Sequence, residues 1–309
     1  MLHPRSIARF AACLLGLHAV ASAAALVDPQ ALYSALRSDA ERVLQRYSPE
    51  RVEKPPEWAK RQDAPSARVA VLADVHYDDT GRRDWTQHTR PSLLKAVRYL
   101  NDSVKPDRVV ILGDLVASGR VEQLRRVKEL LDTESKAPCS AVWGNHDGQH
   151  FESVFGPASY SLAVGGLRLV AVQIAYNLWD SGWGTCERVE WLAREFAAHG
   201  REPTLLLVHN PVVLPTFANS AAVLRVVEAQ PQVLGVLAGH MHVDYEIRQT
   251  KAHFGLPMFG RPPHAFKVLH VHPDAILIFT CEEKDGAYTQ APIYQKIDIP
   301  PAVRPADVP

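Results

Sequence analysis

The chain predicts an α/β fold with largely buried strands. Two observations carry this: from residue 68 onward short apolar runs alternate with segments of helical periodicity, and each of those runs stops at a glycine or a small polar cluster. The bulk composition agrees. With 309 residues, 47% hydrophobic and 22% charged, the chain is long enough for one large domain or two small ones with a substantial core.

Strands are expected at 68–73, 108–112, 140–143, 204–208 and 233–238, where β-branched and leucine-rich runs of strand length are bounded by turn residues. Helices are expected between them at 92–100, 121–131, 187–198 and 221–229. The runs 160–164 and 167–174, joined by Gly165 and Gly166, read as a hairpin. Beyond Met241 shorter strands are expected near 265–271, 275–280 and 293–297. Ahead of all these, 28–47 has a helical pattern through Leu32, Leu36, Val43, Leu44 and Tyr47, opened by Asp28 and Pro29 as N-cap and first-turn proline. The prolines at 49, 55, 56 and 65 mark 48–66 as an irregular connection.

The N-terminus reads differently. Arg5 and Arg9 precede an almost wholly apolar stretch at 11–20, and Ala21-Ser22-Ala23 offers small residues for a signal peptidase. The apolar run is shorter than the roughly 20 residues a spanning helix needs, so a cleaved signal is expected and no stable membrane anchor. The expected organisation is therefore a signal peptide at 1–24, a helix and proline-rich connection at 25–67, the main domain at 68–300 and a tail at 301–309. The mature protein would be periplasmic or secreted. Cys139, Cys186 and Cys281 allow at most one disulfide and lie in no CxxC spacing, so they read as buried structural residues.

Charge excludes one class of partner. Lys+Arg and Asp+Glu balance at 34 each, so there is no bulk field to recruit a nucleic-acid polymer.

The strand ends carry the chemistry. The five expected strands finish in Ala73-Asp74-Val75-His76, Gly113-Asp114, Gly144-Asn145-His146-Asp147, Val208-His209-Asn210 and Gly239-His240-Met241-His242. In open α/β sheets ligands bind at the carboxyl ends of strands. Residues two apart on an extended segment point the same way, so Asp74 with His76, and His240 with His242, can each present a pair of ligands. Carboxylate, imidazole and amide oxygen without thiolate suit first-row divalent ions, or a ferric ion beside one, and the groups are more than one ion needs.

These blocks, in this order, resemble the signature of the calcineurin-like metallophosphoesterase superfamily, over about 68–242. Gly113-Asp114-Leu115-Val116 and the helix around Val189-Glu190-Trp191-Leu192 resemble its cyclic-nucleotide-phosphodiesterase-like branch. The resemblance implies a four-layer αββα sandwich with two central mixed β-sheets and a dinuclear metal site at the strand ends, the C-terminal strands entering the second sheet. It implies that Asp74, His76 and His242 hold one ion, that Asn145, His209 and His240 hold the other, and that Asp114 bridges. His146 would stand beside the phosphate as a catalytic acid, oriented by Asp147. The cofactors implied are two divalent or mixed-valence ions of manganese, iron or zinc.

The expected activity is hydrolysis of a small-molecule phosphate ester by a metal-bound hydroxide, a phosphodiester ahead of a monoester. A phosphomonoesterase on a nucleotide or sugar phosphate, and a noncatalytic binding protein on the same scaffold, are the alternatives. The superfamily often carries an acidic residue soon after its Gly-Asp block, where this chain has Ala117-Ser118-Gly119. Arg82, Arg83, Asp84 and Trp85 in one loop, with Tyr176, Trp179 and Trp183 in another, form a candidate aromatic and basic substrate rim. His150, His253, His264, His270 and His272 are expected to be structural or surface residues.

Overall fold

The computed structural model describes residues 29–78, 89–178 and 182–303. The expected signal peptide, the Arg82–Trp85 group, Trp179 and most of the C-terminal tail lie outside the described residues. Six helices and two large sheets make up most of what is described.

In chain order, α1 (Pro29–Gln45) precedes β1 (Ala67–Leu72). Next come α2 (Thr89–Tyr99), β2 (Arg108–Leu112), α3 (Val121–Glu134), β3 (Cys139–Val142) and the short α4 (Phe151–Phe155). The hairpin β4 (Tyr160–Val164) and β5 (Leu167–Ala171) leads into a small two-stranded ribbon, β6 (Ala175–Leu178) and β7 (Trp183–Thr185). Then follow α5 (Val189–Ala198), β8 (Thr204–Val208), α6 (Ser220–Glu228) and β9 (Val233–Ala238). The chain closes with β10 (Tyr245–Arg248), β11 (Ala252–Gly255), β12 (Phe266–Val271), β13 (Ala275–Lys284) and β14 (Ala287–Asp298).

The first sheet runs β14-β13-β12-β1-β2-β3, parallel from β1 to the edge strand β3 and antiparallel from β1 to β14; the second runs β10-β11-β9-β8-β5-β4, parallel inside and antiparallel at both edges. The period-2 pattern of the strands explains the layering. Val69 and Val71 of β1, Leu205 and Leu207 of β8, and Ile276 and Ile278 of β13 meet between the sheets. Ala70 and Leu72 face α2 and α3, while Leu206 and Val208 face α5 and α6. Helix, sheet, sheet and helix therefore stack as the four-layer αββα sandwich the resemblance implied. Each helix buries one stripe; in α3 it is Leu124, Val127, Leu130 and Leu131.

One expectation is corrected. The C-terminal strands join the first sheet, not the second: β12 pairs antiparallel with β1, Val69 opposite Leu269. Position in the chain does not say which sheet edge is open; β1 pairs with β2 on one side, and antiparallel β12 fills its other edge. Strands β6, β7, β10 and β11 and helix α4 were not expected, each being five residues or fewer. Strand β14 is far longer than 293–297, because its first half carries exposed polar residues past a register shift at Phe279/Cys281. Cys139, Cys186 and Cys281 are all free thiols, the last two buried. Among the described residues no helix is long and apolar enough to cross a membrane.

His253 of β11 is 1% exposed, and neither ring nitrogen has a hydrogen-bond partner. Burial pushes its pKa down to about 4. The folded chain thus keeps this ring neutral while the unfolded chain protonates it below about pH 6.5, so stability falls as pH drops through that window. Denaturant titrations between pH 7 and 4 should show a loss that His253→Leu reduces by on the order of 3 kcal/mol at the acid end. An unchanged pH slope in the variant would rule out this contribution.

Candidate metal centre

All five predicted strand ends open on one edge of the sandwich. The loops after β1 and β2 continue the parallel pairing beyond the strands: Asp74 N–H donates to Gly113 O (3.1 Å), His76 N–H to Asp114 O (2.8 Å) and Tyr77 N–H to Leu115 O (2.9 Å). Two loops of different sequence are thereby held in register, which places His76 beside Asp114.

The backbone at this edge is unusual. Asp74, His76, Asp114, His240 and His242 all have positive φ, between 47° and 66°. Non-glycine residues occupy the left-handed region at a cost of about 1–3 kcal/mol each, and they persist there only when the surroundings over-determine them. Five of the seven expected ligands are strained in this way.

The side chains converge. The Asp114 carboxylate stands at the middle, with Oδ2 3.5 Å from His76 Nε2 and Oδ1 3.3 Å from His209 Nε2. On the first side, His76 Nε2 lies 3.4 Å from His242 Nε2, which lies 3.5 Å from Asp74 Oδ1. Asp74, His76, Asp114 and His242 each offer a ligand atom, all within 4.8 Å of one another. On the second side, Asn145 Oδ1 lies 3.3 Å from His209 Nε2 and 3.1 Å from His240 Nδ1. All seven expected ligands are thus gathered around one carboxylate, which faces both halves.

Supporting contacts set the ligand atoms. His209 Nδ1 lies 2.7 Å from Leu112 O, so that nitrogen carries the proton and Nε2 faces Asp114 and Asn145. Asp74 accepts from His240 N–H through both oxygens at 3.0 and 3.1 Å, tying the β1 loop to the β9 loop across the two sheets. Gly144 has to be glycine, because a Cβ there would overlap the Asp114 backbone nitrogen and Oδ1.

Electrostatics follow burial and the central charge. Burial lowers the His76 pKa to about 3 despite Asp114 and Asp74, and it holds His240 well below its ordinary value, helped by Arg37. These rings are neutral and ready to ligate. Burial also opposes charge on His209, but Asp114 outweighs it and raises the pKa to about 9. Desolvation likewise works against the Asp114 anion, yet His209 and His146 hold its pKa well below the usual range. A cation entering here would replace the proton on His209. The oxygen and imidazole donors, gathered without thiolate, fit divalent or ferric ions.

His146 lies beside the cluster, half-buried, its ring 4.8 Å from that of His76. Its Nδ1 lies 3.2 Å from Ala117 O, so Nδ1 donates there and Nε2 remains for chemistry. A cleft of about 670 Å³ opens past it, bordered by 117–122, Asn145, His146 and 148–150. A larger cavity of about 940 Å³, between α2 and α3, is lined by none of the seven ligands.

Asp147 bonds to backbone N–H groups and not to the His146 ring. Its carboxylate is fully buried and accepts from Gly144 N–H (2.8 Å) and Val116 N–H (3.2 Å). Burial and the neighbouring Asp114 raise its pKa well above the carboxylate range. Its contacts make it a brace for the turn that carries Asn145 and His146. Tyr176 does not form a substrate rim either: it is 5% exposed and donates to Asn210 Oδ1 at 2.8 Å. Arg37 of α1 went unnoticed in the sequence, yet its Nη2 donates to His240 O at 2.9 Å. No local pattern in α1 marks that residue. His264 and His272 are structural, bonded to Ser92 and Asp63.

The chain is similar to known proteins. A profile of calcineurin-like phosphoesterases matches residues 67–244. A cAMP/cGMP dual specificity phosphodiesterase of Mycobacterium tuberculosis is 27% identical over 205 residues, which are 60% of this chain and 64% of that protein. A glycerophosphodiester phosphodiesterase of Enterobacter lignolyticus is 26% identical over 159 residues, 45% of this chain and 56% of that protein. The match thus spans less than two thirds of either relative. A dimetal phosphatase from Danio rerio has the same fold, with TM-score 0.58 and 19% identity over 76% of this chain and 99% of that one.

Proposed function

Because the chain belongs to the calcineurin-like phosphoesterase family, we propose that it is a dinuclear-metal phosphoesterase acting on small phosphate esters, with phosphodiesters preferred over monoesters. The observation that carries this reading is the Asp114 carboxylate, one oxygen facing His76 and the other His209. Asp74, His76 and His242 would hold one ion and Asn145, His209 and His240 the other, with Asp114 shared between them.

Ions bound there, of manganese, iron or zinc, would offset phosphoryl charge and lower the pKa of a bound water from 15.7 to about 7. The rest falls to the chain. His146, with Nδ1 fixed by Ala117 O, presents Nε2 to the cleft and gives a proton to the leaving oxygen. Buried Asp147 holds the turn that aims it. The cleft between 117–122 and 148–150 receives the leaving group.

The diester preference rests on two relatives whose names denote phosphodiesterases. Export to the periplasm or beyond rests on the N-terminal charge and apolar pattern alone. The balanced charge supports a small-molecule substrate rather than a nucleic-acid polymer.

The test is to strip the protein with chelator, reload it with manganese, zinc or iron, and compare bis-p-nitrophenyl phosphate with p-nitrophenyl phosphate. Metal-dependent turnover, faster on the diester, is the expected result. Faster monoester turnover would overturn the diester preference, and folded, metal-loaded protein without turnover on either would overturn the enzymatic reading.

A further inference from the structure

Lys267 sits in β12, inside the otherwise apolar run Phe266-Lys267-Val268-Leu269, and is 0% exposed. It points into the space between the sheets, on the face of Leu269 and opposite that of Phe266 and Val268. A buried ammonium is costly unless every donor is matched. Here each is: Nζ lies 2.8 and 3.0 Å from the two Asp244 oxygens, 2.7 Å from Gln295 Oε1 and 3.2 Å from Thr280 Oγ1.

The partners come from different places. Thr280 and Gln295 stand on β13 and β14 of the first sheet, on the same inward face as Lys267. Asp244 belongs to the connection between β9 and β10 of the second sheet, two residues beyond His242. Gln295 also donates to Glu246 Oε2 at 2.9 Å, so both residues flanking Tyr245 are held from the first sheet. The connection they hold carries His240 and His242 at φ of 66° and 59°, conformations that need outside support.

We propose that Lys267 is a positioning residue for the metal centre: by gripping Asp244 from the opposite sheet it fixes His242, two residues earlier, and so sets the affinity for the ion that His242 helps to bind, whereas His240 is held separately by Asp74 and Arg37. The inference rests on the two-ion reading of the site. Lys267 touches none of the ligands and acts only through the backbone that Asp244 anchors.

A merely stabilising ion pair predicts something else. Replacing both members of a buried pair with apolar residues commonly restores stability, because no unmatched charge is left behind. The experiment therefore uses the full chain as Lys267→Met/Asp244→Leu, with Asp244→Asn as a milder change that keeps an oxygen facing the ammonium. Thermal unfolding of chelator-stripped protein is recorded first, and manganese and zinc binding is then titrated against a competing chelator.

The expected result is a double variant that unfolds near the wild-type temperature yet binds one of two ions about tenfold to a hundredfold more weakly, the range typical when support for a ligand is lost. Asp244→Asn should weaken the same ion less, and it decides the matter if the double variant does not fold. Wild-type affinity for both ions in these folded variants would overturn the role of Lys267 while leaving the two-ion site intact. A wild-type protein that binds no ion would overturn the two-ion reading, and this inference with it.

Discussion

Asp114→Asn should abolish turnover almost completely, lowering kcat/KM by roughly a thousandfold or more. The variant keeps the volume and one oxygen but loses the charge around which the site is arranged. Asp114 Oδ1 lies 3.3 Å from His209 Nε2 and Oδ2 lies 3.5 Å from His76 Nε2, so both halves lose their shared partner at once. The same carboxylate accepts the His146 backbone N–H at 2.8 Å, and an amide turned the wrong way would release that turn as well. His209, charged in the metal-free protein because of Asp114, should return to a neutral ring. Steady-state rates at saturating metal test this. A loss under tenfold would mean that the carboxylate does not join the two halves.

His146→Ala should behave differently. The ring lies outside the seven-ligand cluster and is held by Ala117 O, so both ions should stay bound. What is lost is a proton donor, a group whose removal lowers rates by about a hundredfold to ten-thousandfold. The size of the loss should depend on the leaving group. An alkyl phosphodiester, whose alkoxide is a strong base, should lose that much, whereas a nitrophenyl diester needs little protonation and should lose far less. An equal loss on both substrates would remove the general-acid role, and loss of metal would show that His146 supports the ligands instead.

Much of this site is legible in the chain because the ligands sit at strand ends. A strand run is easy to read from its apolar pattern: Asp74 and His209 follow one directly, and Asp114, Asn145 and His240 follow one after a single glycine. What cannot be read is anything set by the approach of distant segments. Which sheet receives β12 to β14 depends on the edge that β1 leaves free. The fate of Asp147 depends on Val116 and Gly144 N–H groups that only the folded turn brings to it. Arg37 reaches His240 from 203 positions away in the chain.

Lys267 is an intermediate case. A lysine between Phe266 and Val268 in a strand-like run is a visible local conflict, and such conflicts tend to mark a functional or strained position. Its partner is not visible, because Asp244 looks like an ordinary polar residue after the histidine pair. Tyr176 fails in the opposite direction: an aromatic in a glycine-bearing loop reads as a substrate contact, but its hydroxyl is spent on Asn210 inside the fold.

The two-ion site itself is tested most directly by counting metal. Chelator-stripped protein would be titrated with manganese or zinc, the bound metal measured by mass spectrometry after removal of free ions, and Asp114→Asn carried through in parallel. The geometry predicts two ions per chain in the wild type and a marked loss of both in the variant. One ion or none in folded wild-type protein, or two in Asp114→Asn at unchanged affinity, would contradict it.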